Sequence, residues 1–174
     1  MLSAPKPHGF TLIELITAIA VLSILLGIAV PAFQAWVLNT KIRTTAEAML
    51  NGLQLARAEA ARRNERVRFT LSGGTGWTVQ TNGGVQIQAR PSAEGSRNVS
   101  VTKTPASATS VTFNALGLVV ANADTSASIT QLDIDASGLE PGQSRELRVL
   151  ISSGSLVRMC DPAIPAASGD PRAC

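Results

Sequence analysis

Between Phe10 and Leu38 the chain carries a single ionisable side chain, Glu14, in an otherwise apolar run. Nothing else restricts its folding so strongly. Phe10 to Val30 alone is 21 residues, and as a helix rising about 1.5 Å per residue it covers roughly the 30 Å hydrocarbon thickness of a bilayer. The segment is therefore long enough to span a membrane. A carboxylate in such a helix costs up to a few kcal/mol if it stays unpaired in lipid, so Glu14 needs a partner.

The residues ahead of the run supply one. Met1 to Gly9 is a short polar leader that carries Lys6 and His8 and ends in glycine. A cut after Gly9 would make Phe10 a new N-terminus, with a cationic amine four residues from Glu14. Amine and carboxylate could then neutralise each other within one helix or between neighbouring helices. Two plainer readings fit less well. A secretory signal has an apolar stretch of roughly 7–15 residues followed by a small-residue cleavage site, whereas this run is longer and holds Ala18-Ile19-Ala20 in its middle. A simple membrane anchor gives no reason for glycine, phenylalanine and glutamate at these positions.

Gly9-Phe10-Thr11-Leu12-Ile13-Glu14 resembles the class III signal sequence of type IV pilins and pseudopilins. The resemblance implies a leader at 1–9 that prepilin peptidase removes between Gly9 and Phe10, N-methylation of the Phe10 amine, and a transmembrane and filament-core helix over 10–38. It also implies a periplasmic head over 39–174, a single pass through the inner membrane, and later residence in a surface pilus or a periplasmic pseudopilus. The partners implied are other major and minor pilins, the inner-membrane assembly platform and membrane lipid. Glu14 and Phe10 would form the charge pair of assembly.

Within the run, Pro31 removes a helical hydrogen bond and Gly27, one turn earlier, adds local weakness, so a kink or loosened stretch is expected there. Beyond Asn39 the pattern becomes amphipathic, with Ile42, Ala46, Met49, Leu50, Leu53, Ala56 and Ala60 at helical spacing. Glu59 and Arg63, four apart, add surface support. One helix is thus expected from Phe10 to about Arg63. Alternation then takes over: Val67, Phe69 and Leu71, a Gly73-Gly74 turn to Trp77 and Val79, and a Gly83-Gly84 turn to Val85, Ile87 and Ala89. Further strands are expected at Val99–Thr102, Ser110–Asn114, Ile129–Ile134, Glu146–Ile151 and Leu156–Cys160, with loops at Pro105–Thr109 and Ala121–Ser128. A helix followed by antiparallel strands predicts an α+β fold, here a sheet wrapped against one helix. With the leader resemblance this becomes a type IV pilin-like fold, a long N-terminal helix packed on an antiparallel β-sheet head.

The net charge of +3 permits binding to anionic polymers or lipid headgroups without demanding it. Cys160 and Cys174 are an even pair on an exported domain, which suggests a disulfide; two free thiols are the alternative. Closing that loop would contribute roughly 3 kcal/mol on the chain-entropy model and pin a proline-rich tail that lacks its own apolar pattern. Catalysis finds no support. The one histidine, His8, lies in the leader, which removes histidine-based nucleophile and metal sites. Gly73-Gly74-Thr75-Gly76 reads as a turn, since no lysine follows. Asp133 and Asp135 share a strand face, but a lone acidic pair there reads as solvated charge. No cofactor or metal is expected.

Three more stretches resemble the FimT/FimU and GspH group of minor pilins and pseudopilins. Leu53-Gln54-Leu55-Ala56-Arg57-Ala58-Glu59-Ala60 with Arg63-Asn64 is similar to that group's helix ending. Phe113-Asn114-Ala115-Leu116-Gly117 is similar to its mid-domain turn, and Val157-Arg158-Met159-Cys160-Asp161-Pro162 to its closing strand. The cysteine pair fits its minor pilins better than secretion pseudopilins. The resemblance thus implies a minor pilin of a type IV pilus, starting assembly or sitting at the tip. The alternatives are a DNA-binding minor pilin in natural transformation and a GspH-like pseudopilin of the type II secretion system. In the DNA-uptake members the closing strand carries Gly-Arg-x-Arg; Ser155-Leu156-Val157-Arg158 keeps only Arg158. Losing a cation weakens phosphate binding, so DNA contact would need Arg145, Arg148 and Arg172 to share a face with Arg158. Arg57, Arg62, Arg63, Arg66 and Arg68 form a second basic cluster, which reads as a solvated, partly paired helix end.

Overall fold

A computed structural model describes residues 9–94, 97–140 and 142–174, and divides them into a unit ending at Trp36 and a unit from Val37 to Cys174. One helix, α1 (Leu12–Arg63), runs through the end of the first unit into the second and stays helical across Gly27 and Pro31. The leader residues Lys6 and His8 lie outside the described residues.

In the second unit the expected face of α1 is the buried one. Ile42, Ala46, Met49, Leu53, Ala56 and Ala60 have no exposed surface, and Leu50 is half-buried at the margin. Spacings of three and four residues put these side chains one above another on a single stripe. The helix ends at Arg63, where Asn64 takes the left-handed conformation (φ 54°) that asparagine tolerates better than most residues.

The strands are β1 (Val67–Leu71), β2 (Trp77–Thr81), β3 (Gln86–Arg90), β4 (Val99–Thr104), β5 (Ser110–Phe113), β6 (Val119–Val120), β7 (Gln131–Ala136), β8 (Leu147–Ile151) and β9 (Val157–Cys160). They form two antiparallel sheets, ordered β3-β2-β1-β5-β6 and β4-β7-β8-β9, where a single sheet was expected. Alternation reports which side chains point inward, and it is silent about which strand lies beside which. Here β5 returns to pair with β1, while β4 pairs with β7. Inward residues of both sheets, among them Phe69, Val79, Val111, Phe113, Leu132, Ile134 and Val149, join the helix stripe in one core.

Gly73 and Gly74 both have positive φ in the β1–β2 turn, the conformation glycine adopts without steric cost. Gly52 has a different task. A Cβ there would lie 2.9 Å from Phe69 Cε2 and 3.0 Å from Trp77 Cε2, so only glycine lets α1 approach the stacked rings of Phe69 and Trp77. The loop between β6 and β7 is irregular as expected, yet it is held from inside. Asn122 is buried; its Oδ1 accepts from Thr112 Oγ1 at 2.8 Å and its Nδ2 donates to the carbonyls of Ser110, Ser126 and Ala127.

Candidate functional site

In the first unit the hydroxyls of Thr11, Thr17 and Ser23 are bonded locally. Thr11 starts the helix, its Oγ1 accepting from the Glu14 amide at 3.3 Å, as an N-cap threonine does. Thr17 Oγ1 donates to the Glu14 carbonyl at 3.0 Å and Ser23 Oγ to the Ile19 carbonyl at 2.8 Å. Hydroxyls turned back on the helix's own carbonyls keep those donors paired in lipid. Around it the large apolar side chains are exposed on every side, from Leu12, Ile13 and Leu15 to Phe33 and Trp36. The most apolar 18-residue window of α1 has a mean hydropathy of 2.6 and nothing in that window is buried, so the helix is long and apolar enough to cross a membrane.

Gly9 and Phe10 stand just ahead of that helix, with Phe10 86% exposed. Glu14 lies in its first turn and, among the described residues, takes part in no ion pair. An apolar surface with nothing over it and one unmatched carboxylate is unfinished chemistry. It needs lipid or other helices for the first and a cation for the second.

Three of the four candidate DNA arginines are occupied. Arg158 donates to the main-chain oxygens of Ala173 at 3.1 Å and Cys174 at 2.8 Å, tying the tail to β9. Arg148 pairs with Asp133 at 2.5 Å, and Arg172 with Asp170 at 2.7 Å. Arg148 and Arg158 do share a face, since Arg158 lies opposite Leu150, two residues along β8 from Arg148. That face is rich in acid, however. The Glu146 carboxyl is pushed up, first by partial burial and then by Asp133 and Asp135, against the pull of Arg148. Arg145 is placed through its backbone, its amide donating to Asn39 Oδ1 at 2.8 Å while Asn39 Nδ2 donates to the Gln143 carbonyl at 2.8 Å. The sequence offered no signal for this clamp, because a polar residue at the edge of an amphipathic stripe looks solvated. Asp133 is a correction of the same kind: it is the acid that binds Arg148, and Asp135 takes a hydrogen bond from Ser144.

The helix-end cluster is partly paired, as expected. Glu59 accepts from both Arg62 and Arg63 at 2.7 Å, and those hydrogen bonds, Arg62 first, draw its carboxyl down to about 2. Arg68 lies 3.8 Å from Asp124, and Arg57 packs beneath Gly117 in the β5–β6 turn. Cys160 and Cys174 are joined in a disulfide, so the free-thiol alternative falls away. With the Asp161–Ala173 bridge and the Arg158 contacts, it holds the tail against β9.

The family model of Type II transport protein GspH matches residues 45–155, and the model of the prokaryotic N-terminal methylation motif matches residues 5–30. No curated protein matches the sequence. Among solved structures the chain is similar to the type IV minor pilin FimU of Pseudomonas aeruginosa in two crystal forms. One gives a TM-score of 0.52 at 17% identity over 78% of this chain and 96% of that one. The other gives 0.49 at 17% identity over 76% and 99%. The first likeness establishes the pilin-like fold.

Proposed function

Given that the chain belongs to the GspH family of pilin-like proteins and carries the N-terminal methylation motif, we propose that it is a minor pilin of a type IV pilus. In this reading prepilin peptidase cuts between Gly9 and Phe10 and the new amine is methylated. Residues 10–38 hold the chain in the inner membrane with its head in the periplasm, until the assembly platform moves it into the filament. Neighbouring apolar helices then replace lipid around α1, and Glu14 meets the Phe10 amine of an adjacent subunit. Burial supplies the affinity and the charge pair selects the register, because a buried carboxylate without its cation is strongly disfavoured. Pro31 and Gly27 mark where α1 would loosen in the filament.

The observation that carries this reading is the pairing of a methylation motif over 5–30 with an exposed apolar run whose one acid, Glu14, is in no ion pair among the described residues. Glu14→Ala should leave membrane insertion intact and abolish incorporation, read by immunoblotting membrane and sheared-filament fractions. Normal incorporation would refute the role given to Glu14.

The description of the matching family, a type II transport protein, favours a second reading: a pseudopilin of the type II secretion system. A deletion strain with impaired secretion and normal pili would select it. DNA binding in natural transformation gains nothing from the geometry, since Arg148, Arg158 and Arg172 already have partners in the chain.

A further inference from the structure

Two described side-chain nitrogens are buried without a hydrogen-bond partner, Trp77 Nε1 and Arg90 Nη1, and their residues lie directly opposite each other on β2 and β3. A buried donor left unpaired costs about 1–3 kcal/mol, and more when charged. Two on one cross-strand pair indicate a place where an acceptor arrives from outside the chain. Arg90 lines a cavity of about 490 Å³ between α1 and the stretch after β3, together with Lys41, Thr44, Glu94, Arg97 and Asn98. A second cavity of about 460 Å³ shares Arg90 and Glu94 and reaches Trp77.

The charge here is unbalanced. Three cations face one acid, and among the described residues none of Lys41, Arg90 and Arg97 is in an ion pair, whereas Arg43, Arg62, Arg63, Arg68, Arg148 and Arg172 all are. Position along the chain narrows the ligand. The apolar run closes at Leu38 and Lys41 is the first cation after it, about 4.5 Å further along the helix. Phe10 to Leu38 is 29 residues, about 44 Å as a helix, close to the roughly 40–45 Å of a bilayer with its headgroups, so a bilayer that holds the whole run has its headgroups near Lys41.

We infer that this cavity binds the phosphate of an anionic phospholipid headgroup. Arg90 and Arg97 donate to its oxygens, Lys41 adds charge at the mouth, and Trp77 Nε1, in the adjoining cavity that shares Arg90 and Glu94, meets a second acceptor on the headgroup. Guanidinium groups suit this task because their forked donors match phosphate. The inference rests on the membrane reading of the run, and it is independent of whether the filament is a pilus or a pseudopilus. A carboxylate of a partner protein is the competing ligand; the closeness of Lys41 to the end of the run favours the lipid.

The test uses the full chain in neutral detergent with Trp36→Phe, which leaves Trp77 as the sole tryptophan. It is titrated separately with dihexanoyl phosphatidylglycerol, dihexanoyl phosphatidylcholine, sodium phosphate and an Asp/Glu-rich peptide. Phosphatidylglycerol should give a saturable change in Trp77 emission at least about tenfold tighter than the other three. That affinity should fall about tenfold in Arg90→Gln and in Lys41→Gln. Lys41 is exposed, so the second variant separates loss of ligand from loss of fold. Equal or tighter binding of sodium phosphate, phosphatidylcholine or the peptide would overturn the lipid assignment. Absence of a saturable change, or a change that both variants leave intact, would overturn the site. Neither failure would touch processing at Gly9-Phe10, which is read from the N-terminus.

Discussion

The two halves of α1 carry the same kind of side chain and meet opposite fates. Leu22 is 55% exposed, as are its apolar neighbours, whereas Leu53 has no exposed surface at all. The difference is one of pattern. From Val37 onward apolar residues occupy one stripe and the chain's own sheets cover it; before that they occupy every side, more than any single head could cover. An all-round apolar helix belongs in lipid or among other helices. The stability of the head and the assembly of the chain should therefore respond to different halves of one element.

The largest expected contrast lies in those two leucines. Leu53→Ala should destabilise the head by about 2–5 kcal/mol, followed by urea denaturation of the detergent-solubilised chain, while Leu22→Ala leaves the midpoint unchanged. Equal effects would erase the distinction. Cys174→Ser comes next. Freeing the tail should cost roughly 3 kcal/mol in the same assay, with no change in the amount of chain recovered in membranes. A reduced membrane fraction would mean that the tail matters beyond the head.

The two glycines of α1 sharpen the comparison further. Gly52→Ala places a Cβ 2.9 Å from Phe69 and should cost about 1–3 kcal/mol through overpacking. Gly27 has nothing within 4 Å, so Gly27→Ala should leave the head's melting temperature unchanged and strengthen the local helix by up to about 1 kcal/mol. A stabilising Gly52→Ala would show that the helix has room to retreat from the rings.

The smallest effect concerns Glu59 at the end of the head half. Its carboxyl is held at about 2 in the folded chain against 4.5 ordinarily. The stabilisation from its arginines is therefore fully present above pH about 4.5 and is lost as pH falls toward 2. Between those limits wild type should lose stability more steeply on acidification than Glu59→Gln. Parallel curves from pH 5 down to about 2 would show that the pairs contribute nothing, as happens for many exposed ion pairs.

Much of the fold was legible because burial imposes a period. The stripe from Ile42 to Ala60, the Gly73-Gly74 and Gly83-Gly84 turns and eight of the nine strands follow from spacing. The two-residue β6 escaped because so short a strand has no period to read, and the split into two sheets escaped because pairing is decided across the chain. Thr45 and Gly52 are buried on the helix stripe although neither is strongly apolar; closeness to a partner, which composition does not record, selects them. At the candidate site, Glu14 and the residues around Gly9 were plain from the sequence, since a charge in an apolar run is conspicuous. The engagement of Arg148 by Asp133 and of Arg158 by the tail's main-chain oxygens was not, because those contacts join residues about 15 apart in the chain.

In the proposed function the first half of α1 becomes an assembly surface when a positive end is exposed opposite Glu14. Intact-mass and N-terminal sequencing of the chain purified from cell membranes measure this directly. Mature protein beginning at N-methylated Phe10 is the predicted result, and protein still beginning at Met1 would contradict it.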